Sequence, residues 1–228
     1  MSGAPHFGKP MCDLIIEPFA GSASYSTYWE HPFVKLYDLD DNICVLWDFL
    51  INCSDNDIKE IPWEFNDAEK EIAELTLPQR ILVGFWVSYA QAKPARKTGP
   101  WYEDQRRIAH RNMRTWGTRA KTAIIRQKPI IRNWKIEQLS YEKIPNQEAH
   151  WFVDPPYNNK AGKTYTHNCK GIDYGHLAQW CKDREGLVQV CENEGADWLP
   201  FKPLYEVQSS CTTKISKEVC WEQSKLWF

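Results

Sequence analysis

The tetrapeptide Asp154-Pro155-Pro156-Tyr157 has the residue types and spacing to activate an amine. The Asp154 carboxylate and the Pro155 backbone carbonyl can both accept hydrogen bonds from an NH₂ group and so direct its nitrogen lone pair toward an electrophile. Two prolines stiffen the backbone that carries these acceptors, and the Tyr157 ring offers a face on which a flipped-out base can stack. This chemistry needs neither a metal nor a covalent nucleophile. The alternative is a plain strand-ending turn, because Asp-Pro commonly opens turns.

A second candidate site lies near the N-terminus, in the stretch Glu17-Pro18-Phe19-Ala20-Gly21-Ser22-Ala23. Small residues directly after a strand allow the backbone to approach a ligand closely. The stretch contains a single glycine and is not a dinucleotide-binding fingerprint, so an ordinary strand–helix turn remains the alternative. Asp38 ends the next apolar run, where an acidic residue commonly holds ribose hydroxyls. We expect Asp40 or Asp41 to cap the helix that follows.

Short apolar runs alternate with helical patterns on both sides of these motifs. The predicted strands are Cys12–Glu17, Phe33–Asp38, His150–Val153 and Leu187–Cys191. The predicted helices between and after them are Tyr25–Trp29, Asp40–Phe49 and Asp173–Arg184. This alternation predicts an α/β fold with a mostly parallel sheet, and Leu204–Gln208 with Glu218–Trp221 predict an antiparallel hairpin at its C-terminal end. The candidate residues then follow strands, where such folds bind ligands.

The middle of the chain has a different, helical and basic character. Asn66–Leu75 and Pro78–Ala92 are predicted helices, residues 93–100 a loop, and Asp104 to about Arg126 one or two basic helices. Residues 89–135 contain thirteen Lys and Arg against Glu103 and Asp104, a net charge of +11 in a chain of net charge −2. Such concentrated charge favours a bound polyanion, and a solvated helical face is the competing interpretation.

Composition excludes several other classes of protein. The sequence has no run of eighteen apolar residues and no apolar signal-peptide core, so we expect a cytoplasmic protein of a bacterium or a phage-infected cell. Eight cysteines without a Cys-x-x-Cys pair predict reduced, buried thiols. A zinc site is a minor alternative; its ligands would be His167, Cys169, His176 and Cys181. We expect no metal.

Together these motifs resemble the D12 class of N6-adenine DNA methyltransferases, which are related to the Dam family. EPFAGSASYS is similar to the cofactor motif of that class, YDLDDN to its ribose-binding motif and DPPY to its catalytic motif. Weaker similarity continues in Val190-Cys191-Glu192-Asn193 and Ser216-Lys217-Glu218-Val219. The resemblance implies that S-adenosylmethionine methylates a flipped-out adenine in double-stranded DNA. It implies catalytic roles for Asp154, Pro155, Pro156 and Tyr157, and cofactor contacts from Glu17, Pro18, Phe19, Ala20, Gly21, Asp38 and Asp154.

The same resemblance implies a domain plan. Residues 1–60 and 146–228 would form a Rossmann-like methyltransferase core of seven strands, and residues 61–145 a helical, basic target-recognition insertion. The residues expected to bind DNA are Lys93, Arg96, Lys97, Arg106, Arg107, Arg111 and Arg114.

The N-terminus departs from the family pattern. The family opens with aromatic-x-Gly-x-Lys and a helix before the first strand, and that lysine contacts the methionine end of the cofactor. Here His6-Phe7-Gly8-Lys9 lies only a few residues before Cys12, which leaves no room for the helix. We therefore expect that residues 1–11 do not form the motif and that Lys9 is solvated.

Three other functions stay open at this point. Adenine in RNA and the 4-amino group of cytosine present the same kind of NH₂ group, although cytosine enzymes more often carry serine at the position of Asp154. The third is a nucleic-acid-binding relic that lost cofactor binding together with its N-terminal motif.

Overall fold

A computed structural model describes residues 4–65, 72–87, 92–98, 102, 116–208 and 215–225. The chain divides into two compact units, Met1–Asp40 with Asn133–Phe228, and Asp41–Arg132. The first contains the sheet and the candidate site, and the second is helical in its described residues.

The first unit is built on a seven-stranded mixed sheet. Its strands are β1 Ile15–Glu17, β2 Val34–Asp38, β3 Lys135–Gln138, β4 Ala149–Val153, β5 Gly186–Asn193, β6 Lys202–Gln208 and β7 Ile215–Ser224. The strand order is β3-β2-β1-β4-β5-β7-β6. Strands β1 to β5 are parallel, while β7 runs antiparallel to both β5 and β6. The expected Rossmann-like fold, with a C-terminal antiparallel hairpin, is confirmed.

The strands at the centre of this sheet are apolar in sequence. Every residue of β1 and β4 is buried, as expected for strands covered on both faces. One helix of this unit, α1, spans Ser24–Tyr28, and another, which we label α6, spans Tyr174–Asp183. The Asp173 side chain accepts a hydrogen bond from the His176 backbone N–H and so caps α6. Trp151 and Val188 of the sheet and Leu177 of α6 belong to one core cluster, so α6 packs against the sheet.

The opposite face of the sheet is covered by the N-terminal segment. Ala4–His6 forms a 3₁₀ turn, and Phe7 packs edge-on against Phe152 with ring centroids 5.0 Å apart. The Tyr25 hydroxyl donates a 2.7 Å hydrogen bond to the Gly8 carbonyl. No helix lies between Gly8 and β1, and Lys9 is exposed, as expected for a solvated lysine. That residues 1–11 do not form the family motif stays a prediction.

The second unit is a set of helices with its own core. They are α2 Asp41–Asn52, α3 Asp55–Lys59, α4 Leu77–Val87 and α5 Thr118–Ile131. Its core includes Ile58, Phe65 and Trp116, each with no exposed surface. The helix expected to end near Arg126 continues to Ile131, through Pro129. The predicted loop at 93–98 is confirmed, while most of the helix predicted over 66–75 and the region 103–115 lie outside the described residues.

Candidate active site

The candidate site lies where the chain reverses its direction across the parallel sheet. From β1 the chain builds β2 and β3 on one side, and then crosses to β4 and β5 on the other. Ligands of open α/β sheets bind outside the carboxyl ends of the strands at such a switch point. Acidic residues stand at or next to four of these ends: Glu17 on β1, Asp38 on β2, Asp154 after β4 and Glu192 on β5.

The loop after β1 is fixed to the end of β2. Gly21 has φ +44°, a left-handed conformation that favours glycine, and its N–H donates a 3.0 Å hydrogen bond to Asp38 Oδ2. The Ala20 N–H bonds to the Tyr37 carbonyl at 2.9 Å. No atom would lie within 4 Å of a Cβ built on Gly21, so open space remains beside this loop. The loop can therefore border a ligand.

Asp38 is oriented by the backbone on both sides. Its Oδ1 accepts from the Asp40 N–H at 2.9 Å, and its Oδ2 accepts from Gly21. The Leu39 backbone also bonds to this carboxylate. Burial raises the pKa of Asp38, and these backbone N–H groups lower it again.

Glu17 is a buried acid beneath the loop. Only 2% of the residue is exposed, and Oε1 accepts from the Ser26 hydroxyl at 2.5 Å and from the Ser26 N–H at 3.1 Å. These bonds attach α1 to the end of β1. Burial, opposed by Ser26 and assisted by the charge of Asp154, raises the pKa of Glu17 to about 8.

The DPPY segment is held at three points. The Tyr174 hydroxyl donates to the Pro156 carbonyl, the Tyr157 hydroxyl donates to Glu218 Oε2 at 2.8 Å, and the Asn158 N–H donates to Glu192 Oε1 at 2.7 Å. The partners come from α6, β7 and β5, so three neighbouring elements fix one short segment. Within the part of the chain that the structure describes, no group donates to the Pro155 carbonyl, which leaves that acceptor available.

Asp154 is enclosed by protein and yet reaches solvent, as a group facing an open cleft does. Crowding by protein atoms, followed by the charges of Glu218 and Glu192, raises the pKa of Asp154 to about 7, and the Tyr157 hydroxyl opposes this rise. Contact with solvent moderates this effect. The site thus places an available carbonyl and an acid that titrates near neutrality next to each other.

Glu192 and Glu218 also belong to the candidate site, although no strong sequence motif contains them. Glu192 is 1% exposed, and besides Asn158 it accepts from the Asn193 N–H at 2.8 Å and the Trp198 indole at 3.2 Å. Both acids lie in the two segments with weak similarity to the family, which was the available signal. Their function depends on pairing between β5 and β7, which local patterns do not specify.

The basic residues expected to bind DNA are only partly described. Lys93, Arg96 and Lys97 are exposed on the loop after α4, and this loop packs on Gly84 through an Ala95 N–H bond to its carbonyl at 3.0 Å. The other four lie outside the described residues: Arg106, Arg107, Arg111 and Arg114. Binding of DNA by these residues stays a prediction.

No group of three or more His, Cys, Asp or Glu side chains in the described ranges is arranged to hold a metal. The four candidate zinc ligands are described and form no such group. His176 instead pairs with the Tyr141 hydroxyl at 2.9 Å.

Among the residues that the structure describes, no helix has the length and apolar character to cross a membrane.

The chain has weak similarity to solved structures. No protein-family model matches the chain, and neither does any curated protein. A conserved hypothetical protein of Streptococcus pyogenes matches at 12% identity and a TM-score of 0.35, over 96% of this chain and 93% of that one. A structure described as a "putative methylase" of Haemophilus influenzae matches at 10% identity and a TM-score of 0.35, over 98% and 84%. Similarity this low carries no argument about function.

Proposed function

We propose that this chain is an S-adenosylmethionine-dependent methyltransferase that methylates the N6 amine of a flipped-out adenine in DNA. The observation that carries the proposal is the pair of acceptors at Asp154 and Pro155, held at the switch point of the sheet by bonds from three elements. An amine placed there can donate to both, which fixes its orientation without reorganisation of the protein.

The residues present fit the cofactor. Open space beside Gly21 accepts a ligand, and an acid at the end of the second strand, as Asp38 is, commonly holds ribose hydroxyls. When bound, S-adenosylmethionine supplies a methyl group on a positively charged sulfonium. Phe19, Ala20 and Gly21 would border it, and Asp154, when ionised, favours a cationic ligand.

Within this site the chain's own groups orient the amine. The Asp154 carboxylate accepts one N–H bond and the Pro155 carbonyl accepts the other, so the nitrogen lone pair turns out of conjugation with the ring. Tyr157 supplies a stacking face, and its hydroxyl bond to Glu218 restricts the rotation of that ring. The displaced proton leaves from the methylated nitrogen, and Asp154 is the nearest group placed to accept it.

Radiolabelled methyl transfer tests the proposal directly. Unmethylated genomic DNA and total RNA are each incubated with methyl-labelled S-adenosylmethionine, and the products are digested to nucleosides. The expected product is N6-methyldeoxyadenosine. Label in N4-methyldeoxycytidine or in RNA would contradict the assigned substrate, and absence of both transfer and calorimetric cofactor binding would indicate the non-catalytic relic.

Replacing Asp38 with alanine should weaken S-adenosylmethionine binding by roughly 1.5–3 kcal/mol, because the ribose loses a charged hydrogen-bond acceptor. Part of the loss comes from the Gly21 loop, which loses its own anchor. Calorimetry measures the affinity. The matched control is Glu137→Ala, which removes an exposed carboxylate from neighbouring β3 and should leave binding unchanged. Equal affinity in wild type and Asp38→Ala would place the ribose elsewhere.

The rate should depend on pH through Asp154. Because its pKa is raised to about 7, the carboxyl gains a proton as the pH falls below that value and then loses the charge that orients the amine. We expect kcat/KM to fall about tenfold for each pH unit below this pKa. The pH profile of Asp154→Asn, which has no titrating group at this position, is the control. Equal kcat/KM at about pH 6 and pH 8 in the wild-type protein would exclude this role.

A further inference from the structure

The segment that follows Tyr157 folds back on it. The Asn159 N–H donates a 2.7 Å hydrogen bond to the Tyr157 carbonyl, and the Gly162 N–H donates a 3.3 Å bond to Asn159 Oδ1. The Cys169 thiol lies 3.6 Å from the Asn159 carbonyl. These contacts fold residues 158–172 into a compact loop attached to the catalytic motif, which we call the post-motif loop.

Gly162 allows the backbone of the post-motif loop to lie close to the backbone of Tyr157. A Cβ at this position would overlap the Tyr157 carbonyl oxygen and come within 3.0 Å of the Tyr157 N and C atoms. Only glycine permits that approach. The backbone beyond Gly162 therefore passes directly beside the candidate site.

Tyr165 directly follows the 3₁₀ turn Ala161–Thr164, whose Gly162 packs on the backbone of Tyr157. The residue is 48% exposed, yet burial of its hydroxyl, assisted by the charge of Asp154, raises its pKa. A half-exposed ring at this position offers an apolar face to a ligand.

Neither Tyr157 nor Tyr165 pairs with another ring among the residues that the structure describes. Many other described aromatic rings of this unit do pair. Tyr25 stacks on Phe152 at 4.1 Å, and Trp151 packs edge-on against Trp180 at 5.4 Å. Two unpaired rings close to one carboxylate are suited to a planar ligand, since aromatic rings gain energy from stacking.

The post-motif loop also carries unbalanced positive charge. Lys160, Lys163 and Lys170 are exposed, and no acidic residue occurs between Asp154 and Asp173. None of the three lysines has an ion-pair partner in the described part of the chain. Free lysines next to an acidic cleft are suited to phosphate groups that flank the ligand in that cleft.

We propose that the post-motif loop is a second nucleic-acid-binding element, in which Tyr165 stacks on the target base and the three lysines bind the phosphates beside it. The inference rests on the proposed function, because it takes the planar ligand to be a base of a polynucleotide. It adds a stacking residue and three phosphate contacts outside the basic segment 89–135.

The stacking role is tested without turnover. A thymidine oligonucleotide with one central 2-aminopurine is titrated with wild type, Tyr165→Ala and Tyr165→Phe, and the fluorescence of 2-aminopurine is recorded. Stacking should quench it in wild type and Tyr165→Phe and about tenfold less in Tyr165→Ala. The control is Tyr28→Ala, a tyrosine of similar exposure on α1. Equal quenching in Tyr165→Ala, with an unchanged melting temperature, would overturn the role of Tyr165.

The phosphate contacts are tested by salt dependence. Each phosphate-bound lysine contributes about one to the slope of log affinity against log salt, so Lys160→Gln, Lys163→Gln and Lys170→Gln together should reduce the slope by about 3. A triple substitution of exposed lysines outside both basic elements, at Lys143, Lys182 and Lys202, controls for net charge. The same slope in both triple variants would overturn the contacts.

These results are separable from the proposed function. DNA methylation by wild type together with unaltered stacking and salt slopes would reject the post-motif loop and keep the methyltransferase. Quenching and salt effects as described, without methyl transfer, would reject the reaction and keep the binding element. In each variant, calorimetric affinity for S-adenosylmethionine should equal that of wild type, because the post-motif loop is not assigned to the cofactor.

Discussion

Replacing Asp154 with alanine should reduce methyl transfer by about 10² or more while the protein stays folded, because the reacting amine loses a preorganised acceptor. The fold should tolerate the change, since Asp154 reaches solvent and the bonds that hold the segment involve Pro156, Tyr157 and Asn158. Single-turnover transfer of radiolabelled methyl measures the rate, and circular dichroism checks the fold.

Two further variants test whether the loss of methyl transfer is specific to the Asp154 carboxylate. Asp154→Asn keeps an acceptor oxygen without its charge, so its rate should lie between those of wild type and Asp154→Ala. Asp197→Ala removes an exposed carboxylate from the loop after β5 and should leave the rate unchanged. A wild-type rate in Asp154→Ala would reject the assignment of this site.

Glu192→Ala should lower the free energy of unfolding by about 2–4 kcal/mol. The side chain is 1% exposed and accepts from three N–H groups, those of Asn158, Asn193 and Trp198. Removing one partner from a buried hydrogen bond costs about 1–3 kcal/mol for each donor left unsatisfied, and donors near the surface regain part of this from water. Urea denaturation monitored by tryptophan fluorescence measures the change.

Glu194→Ala is the matched control, two residues along the same chain. Glu194 is exposed, and its 3.3 Å ion pair with Lys217 has side chains 63% and 47% exposed, so its loss should cost under about 1 kcal/mol. Methyl transfer should also fall in Glu192→Ala, because Asn158 loses the bond that anchors the end of the motif. Equal stabilities of the two variants would show that Glu192 does not hold this segment.

The central strands were predictable because their sequences are unambiguous. β1, β2, β4 and β5 are apolar runs followed by acids or turns, and a strand buried on both faces has this pattern. The position of Asp154 after β4 followed directly. Sequence analysis could therefore locate the candidate site at the carboxyl edge of the sheet.

Elements that depend on tertiary contacts were not predicted individually. β3 has the sequence Lys135-Ile136-Glu137-Gln138, in which three side chains are exposed, because it is an edge strand. α3 begins with a capping box in which Ser54 and Asp57 exchange hydrogen bonds, but its five residues give no periodic pattern. The anchoring of the N-terminus by Phe7 and Gly8 depends on distant partners in the same way.

A chain of hydrogen bonds runs across the sheet beneath that N-terminal segment. Gln189 Nε2 donates to Glu222 Oε2 at 2.7 Å, which leaves Gln189 Oε1 to accept from His150 Nε2 at 2.9 Å. The imidazole is thereby fixed as the Nε2–H tautomer, and its Nδ1, 3.4 Å from the Tyr25 hydroxyl, can only accept.

The His150 imidazole also carries no charge near neutral pH. Burial lowers the pKa of His150 to about 4, so the ring is uncharged throughout the range in which Asp154 and Glu17 titrate. His150 therefore adds no charge to the core of the sheet while the acids at its carboxyl edge titrate.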